Sequence, residues 1–278
     1  MLYQQIISDL KDAQNLLAND YTFSNGERIR PNKWVATAFL ARVYLFQKKW
    51  DSAVAESSAV INNTDLYSLD TDLNTVFLAN STEAIWQLLP VAPNINTREG
   101  NNFILTTQPN DVAMSNFLLT AFETGDSRMT NWVDSFTNGT TTWYYPFKYK
   151  VKSGTPITEY SMVLRLAEQY LIRSEAEANG AGNGINGGIT DLNTIRTRAG
   201  LPNTTASDQP SLLTAILHER QVELFTEWGH RWLDLIRTNQ ADLILGTEKP
   251  GWTPNAKLYP IPSQEILNNP KITQNTGY

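Results

Sequence analysis

A mainly α-helical fold of helical hairpins, interrupted by an irregular, loop-rich segment, is predicted by three observations. The pattern Leu-Ala-x-x-Tyr-Leu occurs twice, as Leu40, Ala41, Tyr44, Leu45 and as Leu166, Ala167, Tyr170, Leu171. Apolar residues at helical spacing (Ile6, Ile7, Leu10, Ala13, Leu16, Leu17) open the chain. Residues 213–237 carry a dense alternation of acid and base that a pair of packed helices would need.

Each element follows from local chemistry. Residues 3–19 read as one amphipathic helix leading into the first hairpin. Asn32 is a good N-cap for a helix through Trp34, Ala38, Ala41, Tyr44 and Leu45 to about Gln47. A second helix is expected from Asp51 as cap, through Ala53, Val54, Ser57 and Val60. Small alanines on facing stripes let two antiparallel helices approach closely, with Tyr44 and Trp50 filling the turn. This is the logic of a tetratricopeptide hairpin. In the second copy the Gly- and Asn-rich residues 179–188 read as a mobile surface turn before a helix at 189–199. That turn lacks the Lys-Ser/Thr of a phosphate-binding loop and follows a helix rather than a strand.

Between residues 66 and 160 the helical period is lost. Short candidate strands at 84–88 and 144–149 alternate with turn-rich stretches such as Asn138-Gly139. Trp86, in an alternating apolar pattern, reads as buried. Trp228 and Trp232, which flank Gly229, read as packing residues of the C-terminal corner.

Composition excludes several functions. At 278 residues and 41% apolar content the chain can bury a sizeable core. With no cysteine it forms no disulfide, thiolate nucleophile or cysteine metal site. A net charge of −6 without a basic cluster makes nucleic acid a poor partner. No run approaches the roughly 18 apolar residues of a membrane span, and the first ten residues do not have the pattern of a signal peptide. The two histidines do not build a metal or hydrolytic site, because His218-Glu219 is followed by Val222 where a zinc-protease helix needs a second His. Glu219, Glu223 and Glu227, spaced by four on one expected helix face, read as a structural ion network with Arg220, Arg231, Asp234 and Arg237. No catalytic residue, metal or cofactor is expected.

The motifs Leu217-His218-Glu219-Arg220-Gln221-Val222-Glu223-Leu224 and Gly229-His230-Arg231-Trp232-Leu233-Asp234-Leu235-Ile236-Arg237 come with a tail. The tail holds Tyr259-Pro260-Ile261-Pro262, Asn269-Pro270 and a final Gln274-Asn275-Thr276-Gly277-Tyr278. Together they resemble the SusD/RagB family of starch-utilisation-type outer-membrane lipoproteins. The resemblance covers nearly the whole chain and is weakest between residues 89 and 158. It implies a SusD-like superhelix of α-α hairpins over 1–278, with hairpins at 1–64, an irregular insertion at 65–159 and C-terminal helices and tail at 160–278. It also implies that this sequence is the C-terminal portion of a longer precursor, without the signal peptide, the lipid-bearing Cys and the N-terminal helical region. The implied function is non-enzymatic capture of oligosaccharide or polysaccharide at the cell surface of the outer membrane. Ligand would pass to a TonB-dependent, SusC-like outer-membrane transporter. A helical-repeat scaffold for protein partners is the alternative.

Candidate ligand contacts lie in the insertion. Trp143, Tyr144 and Tyr145 follow the Asn138-Gly139 turn, so at least one ring points outward if the segment is extended. Aromatic rings stack on apolar sugar faces. Trp132, preceded by Asp126 and Arg128, is a second candidate, while Phe122, Asp126 and Arg128 themselves read as structural. Asn101, Asn102 and Gln108 in another polar loop offer amides, which donate and accept at once and so suit hydroxyl groups.

Overall fold

The computed structural model describes residues 2–278 and is mainly helical. It divides into two compact units, one ending at Trp228 and the other spanning Gly229–Tyr278.

In the first unit, helices α1 (Leu2–Leu16), α2 (Lys33–Phe46) and α3 (Trp50–Ile61) pack in sequence, each on the next. Asn32 caps α2 as expected, its Oδ1 accepting from the amides of Trp34 and Val35 at 3.0 and 3.1 Å. Leu40, Ala41, Tyr44 and Leu45 are buried and meet Ala53 of α3 and Ile172 and Ala176 of a later helix. Helix α3 starts one residue before the expected cap: Lys49 holds the N-cap position, and Asp51 sits inside the first turn, where its charge favours the helix N-terminus. Helix α1 lays Ile7 and Leu10 against this cluster.

The chain then crosses the insertion: strand β1 (Ala84–Leu88), short helices α4 (Arg98–Phe103), α5 (Asn116–Leu119) and α6 (Ser127–Asn131), and the hairpin β2 (Val133–Thr137) and β3 (Thr142–Pro146). Strand β4 (Ser161–Arg165) returns to pair antiparallel with β1. Trp86 on β1 is half-buried against Phe39, with ring centroids 6.2 Å apart. Strand β3 begins two residues before the expected 144 and stops at Pro146, which has no N–H to extend a ladder.

Helices α7 (Leu166–Ala178), α8 (Gly184–Arg198) and α9 (Gln209–Glu223) complete the scaffold, with α7 packed on α3, α8 and α9. The expected mobile turn over 179–188 is corrected here: α8 already runs through Gly187 and Gly188. A Cβ on Gly188 would sit 2.8 Å from the Ser174 carbonyl oxygen and 3.1 Å from Leu212 Cδ2. These glycines therefore serve close approach of α8 to α7, which the Ser174 hydroxyl seals by donating to Gly188 O at 2.7 Å. Helix α9 ends at Glu223, so Glu227 lies beyond it in a turn with Thr226 and Trp228 at positive φ, not on the same helix face.

The second unit holds α10 (His230–Arg237), α11 (Ala241–Glu248) and α12 (Ser263–Asn268). Trp232 meets Trp252 edge-on at 6.2 Å and Tyr259 at 5.9 Å. In the tail, the Gln274 side chain bonds both N–H and C=O of Ile261, mimicking a strand partner. No helix among the described residues is long and apolar enough to cross a membrane.

Candidate functional site

The two-stranded hairpin gives the aromatic triplet two faces. Register pairs Asp134 with Tyr145, Ser135 with Tyr144 and Phe136 with Trp143. Alternation then places Trp143 and Tyr145 on one face with Phe136, and Tyr144 on the other. Trp143 is half-buried and stacked on Phe136, with centroids 6.4 Å apart and planes 23° from parallel. Tyr145 is buried, and its hydroxyl donates to Asp134 Oδ2 at 3.0 Å. Burial and that carboxylate push its phenol up to about 12. Tyr144 is the exposed ring of the three, at 39%.

Trp132 is not a ligand contact. It is fully buried, its indole N–H donates to Leu73 O at 2.8 Å, and it packs edge-on against Phe77 at 5.6 Å. The signal that drew attention to it, Asp126 and Arg128 upstream, belongs to the core. Asp126 caps α6 and clamps Arg128, whose Nη1 reaches Glu219 at 2.6 Å and Glu223 at 2.9 Å.

A cleft of about 460 Å³ lies in the loop that follows α4. Polar groups from Asn102, Thr106, Thr107, Gln108, Asn110 and Asp111 line it, with apolar surface from Phe103, Ile104, Leu105, Pro109 and Val112. Asn102 and Gln108, singled out from the sequence, thus share one concavity of a size suited to a small-molecule ligand. Its remaining lining residue, Lys152, comes from a distant segment. The Lys152 ammonium donates to the carbonyls of Asn101 at 3.0 Å and Ile104 at 2.6 Å, and Asn101 Nδ2 donates back to Lys152 O at 3.2 Å. Asn101 therefore braces the wall; it is not among the residues that line the cleft. Thr97 caps α4 through Gly100 N, and buried Asn96 ties the same region down by accepting from Thr158 N at 2.6 Å and Glu159 N at 3.1 Å. At its far end the loop joins the hairpin, where Met114 N donates to Tyr144 O at 2.8 Å.

Sequence reasoning missed Asp111, Asn110 and Lys152. The dense turn chemistry of Gln108-Pro109-Asn110-Asp111 marks a loop, whereas nothing local links it to Lys152.

The carboxylates of the acid and base ladder offer no catalytic pair. Glu219 and Glu223 are fully buried. Arg165 holds Glu83, Glu223 and Glu227, and Arg198 joins Glu83 and Glu223. Burial opposes ionisation of Glu223, yet Arg198, Arg165 and Arg128 outweigh it and hold the carboxyl well below its usual range. Lys148 is buried over the rings of Phe225 and Trp132 and donates to Glu227 Oε1 at 2.5 Å and to two backbone carbonyls. Burial pulls its ammonium down to about 8. Glu123, His218 and Glu219 come close enough together to suggest a metal. Arg196, however, engages Glu123 at 2.6 Å and Glu219 at 3.2 Å, and a carbonyl, Ala121 O, lies 2.7 Å from His218 Nε2. A guanidinium already neutralises the carboxylates that a cation would need.

Comparison with known proteins places this architecture. A SusD-like protein of Formosa agariphila is 27% identical over 98% of this chain and 64% of its own length. Another from that organism is 25% identical over 100% of this chain and 65% of its own length. A third shares 32% identity over 47% of this chain and 27% of itself. The chain thus spans less than two thirds of these curated relatives. Surface glycan-binding protein A from Bacteroides thetaiotaomicron, solved with laminarihexaose, superposes with a TM-score of 0.79. The match covers 99% of this chain and 70% of that one, and at 20% identity it establishes the fold. A laminarin-binding SusD-like protein matches at 26% identity with a TM-score of 0.74, over 99% of this chain and 68% of its own. The SusD family model matches residues 14–278, and the chain belongs to the SusD family.

Proposed function

We propose that this protein captures glycan at the cell surface and passes it to a TonB-dependent, SusC-like outer-membrane transporter, without cleaving it. The observation that carries the reading is the cleft after α4, in which amides and hydroxyls converge beside an apolar wall. Sugars present the complementary surface: hydroxyl groups that donate and accept, and ring faces that are apolar. Relatives named for laminarin and laminarihexaose binding support a glycan as ligand. Tyr144 or the partly open Trp143, on opposite faces of the hairpin, extends the surface, so a chain of several sugar units could lie from the cleft across one ring. The carboxylate inventory supports binding without hydrolysis. Glu219, Glu223 and Glu227 are paired with guanidinium or ammonium groups, and among the described residues the cleft lining holds one carboxylate, Asp111, where glycosidase chemistry needs two.

Electrophoresis through native gels cast with laminarin, starch, xylan or mannan tests this. Retarded migration in at least one gel, with no released products by chromatography, is expected. Unchanged migration in all of them overturns the reading. Co-purification with a SusC-like transporter from native membranes tests the hand-off, and its absence from detergent extracts removes that half.

A further inference from the structure

Resting on the cleft as the glycan site, we infer that it selects uncharged sugars and rejects uronic-acid and sulfated glycans. A site for polyanions presents unspent cations, because a carboxylate or sulfate leaving water needs a charged partner. Lys152 is the one cation in the lining, and its ammonium is hydrogen-bonded to the wall. It donates to Asn101 O and Ile104 O, carbonyls of the last turn and C-cap of α4, where the negative end of the helix answers its charge. Asp111 lies across the same lining, exposed and without a hydrogen bond or ion pair among the described residues. Lys152 thus has its ammonium directed to the wall, whereas the Asp111 carboxylate is the charged group of the lining left without a partner among the described residues. The other polar groups, Asn102, Gln108, Asn110 and the two threonines, are neutral and match hydroxyls. The whole chain, at −6, adds to the repulsion.

Isothermal titration decides this with pairs of probes matched in length and linkage. Neutral β-1,3-gluco-, β-1,4-gluco- and β-1,4-manno-hexaose are each compared with their C6-oxidised hexauronates in low salt. The neutral member that binds should do so at least tenfold more tightly than its oxidised partner. Salt at 0.5 M should narrow that ratio, since charges beyond a Debye length of under ~10 Å are screened. Asp111→Lys should shrink or reverse the ratio; an unchanged melting temperature shows that this exposed position left the fold intact. Equal or tighter binding of a hexauronate, with affinity still lost on Gln108→Ala, overturns charge selection while leaving the cleft as the glycan site. Binding of neither probe, or binding indifferent to Gln108→Ala, overturns the cleft itself and the selectivity with it.

Discussion

Arg165 holds Glu223 by side chain and main chain at once. Its Nη1 donates to Glu223 Oε1 at 2.6 Å and its Nη2 to Glu223 O at 2.8 Å, at the last residue of α9. One guanidinium thus fixes the end of a helix and a carboxylate that Arg128 and Arg198 share. The network joins β4, α6, α8 and α9, which frame the insertion.

Replacing Arg165 should therefore destabilise the protein severely. Arg165→Ala leaves the buried Glu83, Glu223 and Glu227 short of a cation, a loss of about 3 to 5 kcal/mol. Arg165→Lys should recover only part, because an ammonium cannot reproduce the fork that contacts three carboxylates. Chemical denaturation of both variants measures this, and a full-strength Ala variant would show that the network is not structural.

Acid should unfold the protein through the same residues. The folded protein holds Glu223 and Glu227 below their ordinary value of 4.5, despite burial, through Arg198, Arg165 and Lys148. Between that value and the lower folded one, the unfolded chain binds more protons, so stability falls as pH falls below about 4.5. Glu223→Gln should start less stable at pH 7 and lose less on acidification. Equal acid slopes for parent and variant would contradict this.

Gly188→Ala tests the reading of the glycine-rich segment. A methyl 2.8 Å from the Ser174 carbonyl cannot be relieved by a side-chain rotation, so α7 and α8 must part, costing about 1 to 3 kcal/mol. A mobile turn would tolerate alanine with no change in melting temperature.

What was legible in the sequence was what local chemistry decides. The repeated Leu-Ala-x-x-Tyr-Leu pattern placed α2 and α7, Asn32 placed a helix start, and an extended segment implied that at least one ring of the aromatic triplet points outward, as Tyr144 does. What failed depended on partners far along the chain. Gly187 and Gly188 looked like a turn because Ser174 and Leu212, which crowd them, give no local signal. Trp132 looked available because its cover, Leu73, Phe77 and Phe225, comes from elsewhere. The cleft was half legible: its amides stood out, whereas Lys152 is some 50 residues from Asn101 and Asn102.

The hairpin variants separate binding from folding. Tyr144→Ala or Trp143→Ala, on opposite faces of the hairpin, should weaken glycan binding by about 1 to 3 kcal/mol according to the face that the sugar takes, with Tyr144 changing the melting temperature less because Trp143 also packs on Phe136. Trp132→Ala should instead cost about 3 to 5 kcal/mol of folding stability. Paired titrations and thermal melts distinguish these outcomes.

The most direct test of glycan capture in the cleft is isothermal titration of the parent and of Asn102→Ala/Gln108→Ala against a neutral oligosaccharide that the parent binds. Both side chains are exposed, so the double variant should melt like the parent while its affinity drops at least tenfold, or about 1.4 kcal/mol. Undiminished affinity in a well-folded double variant would contradict the account and move the binding site elsewhere on the chain.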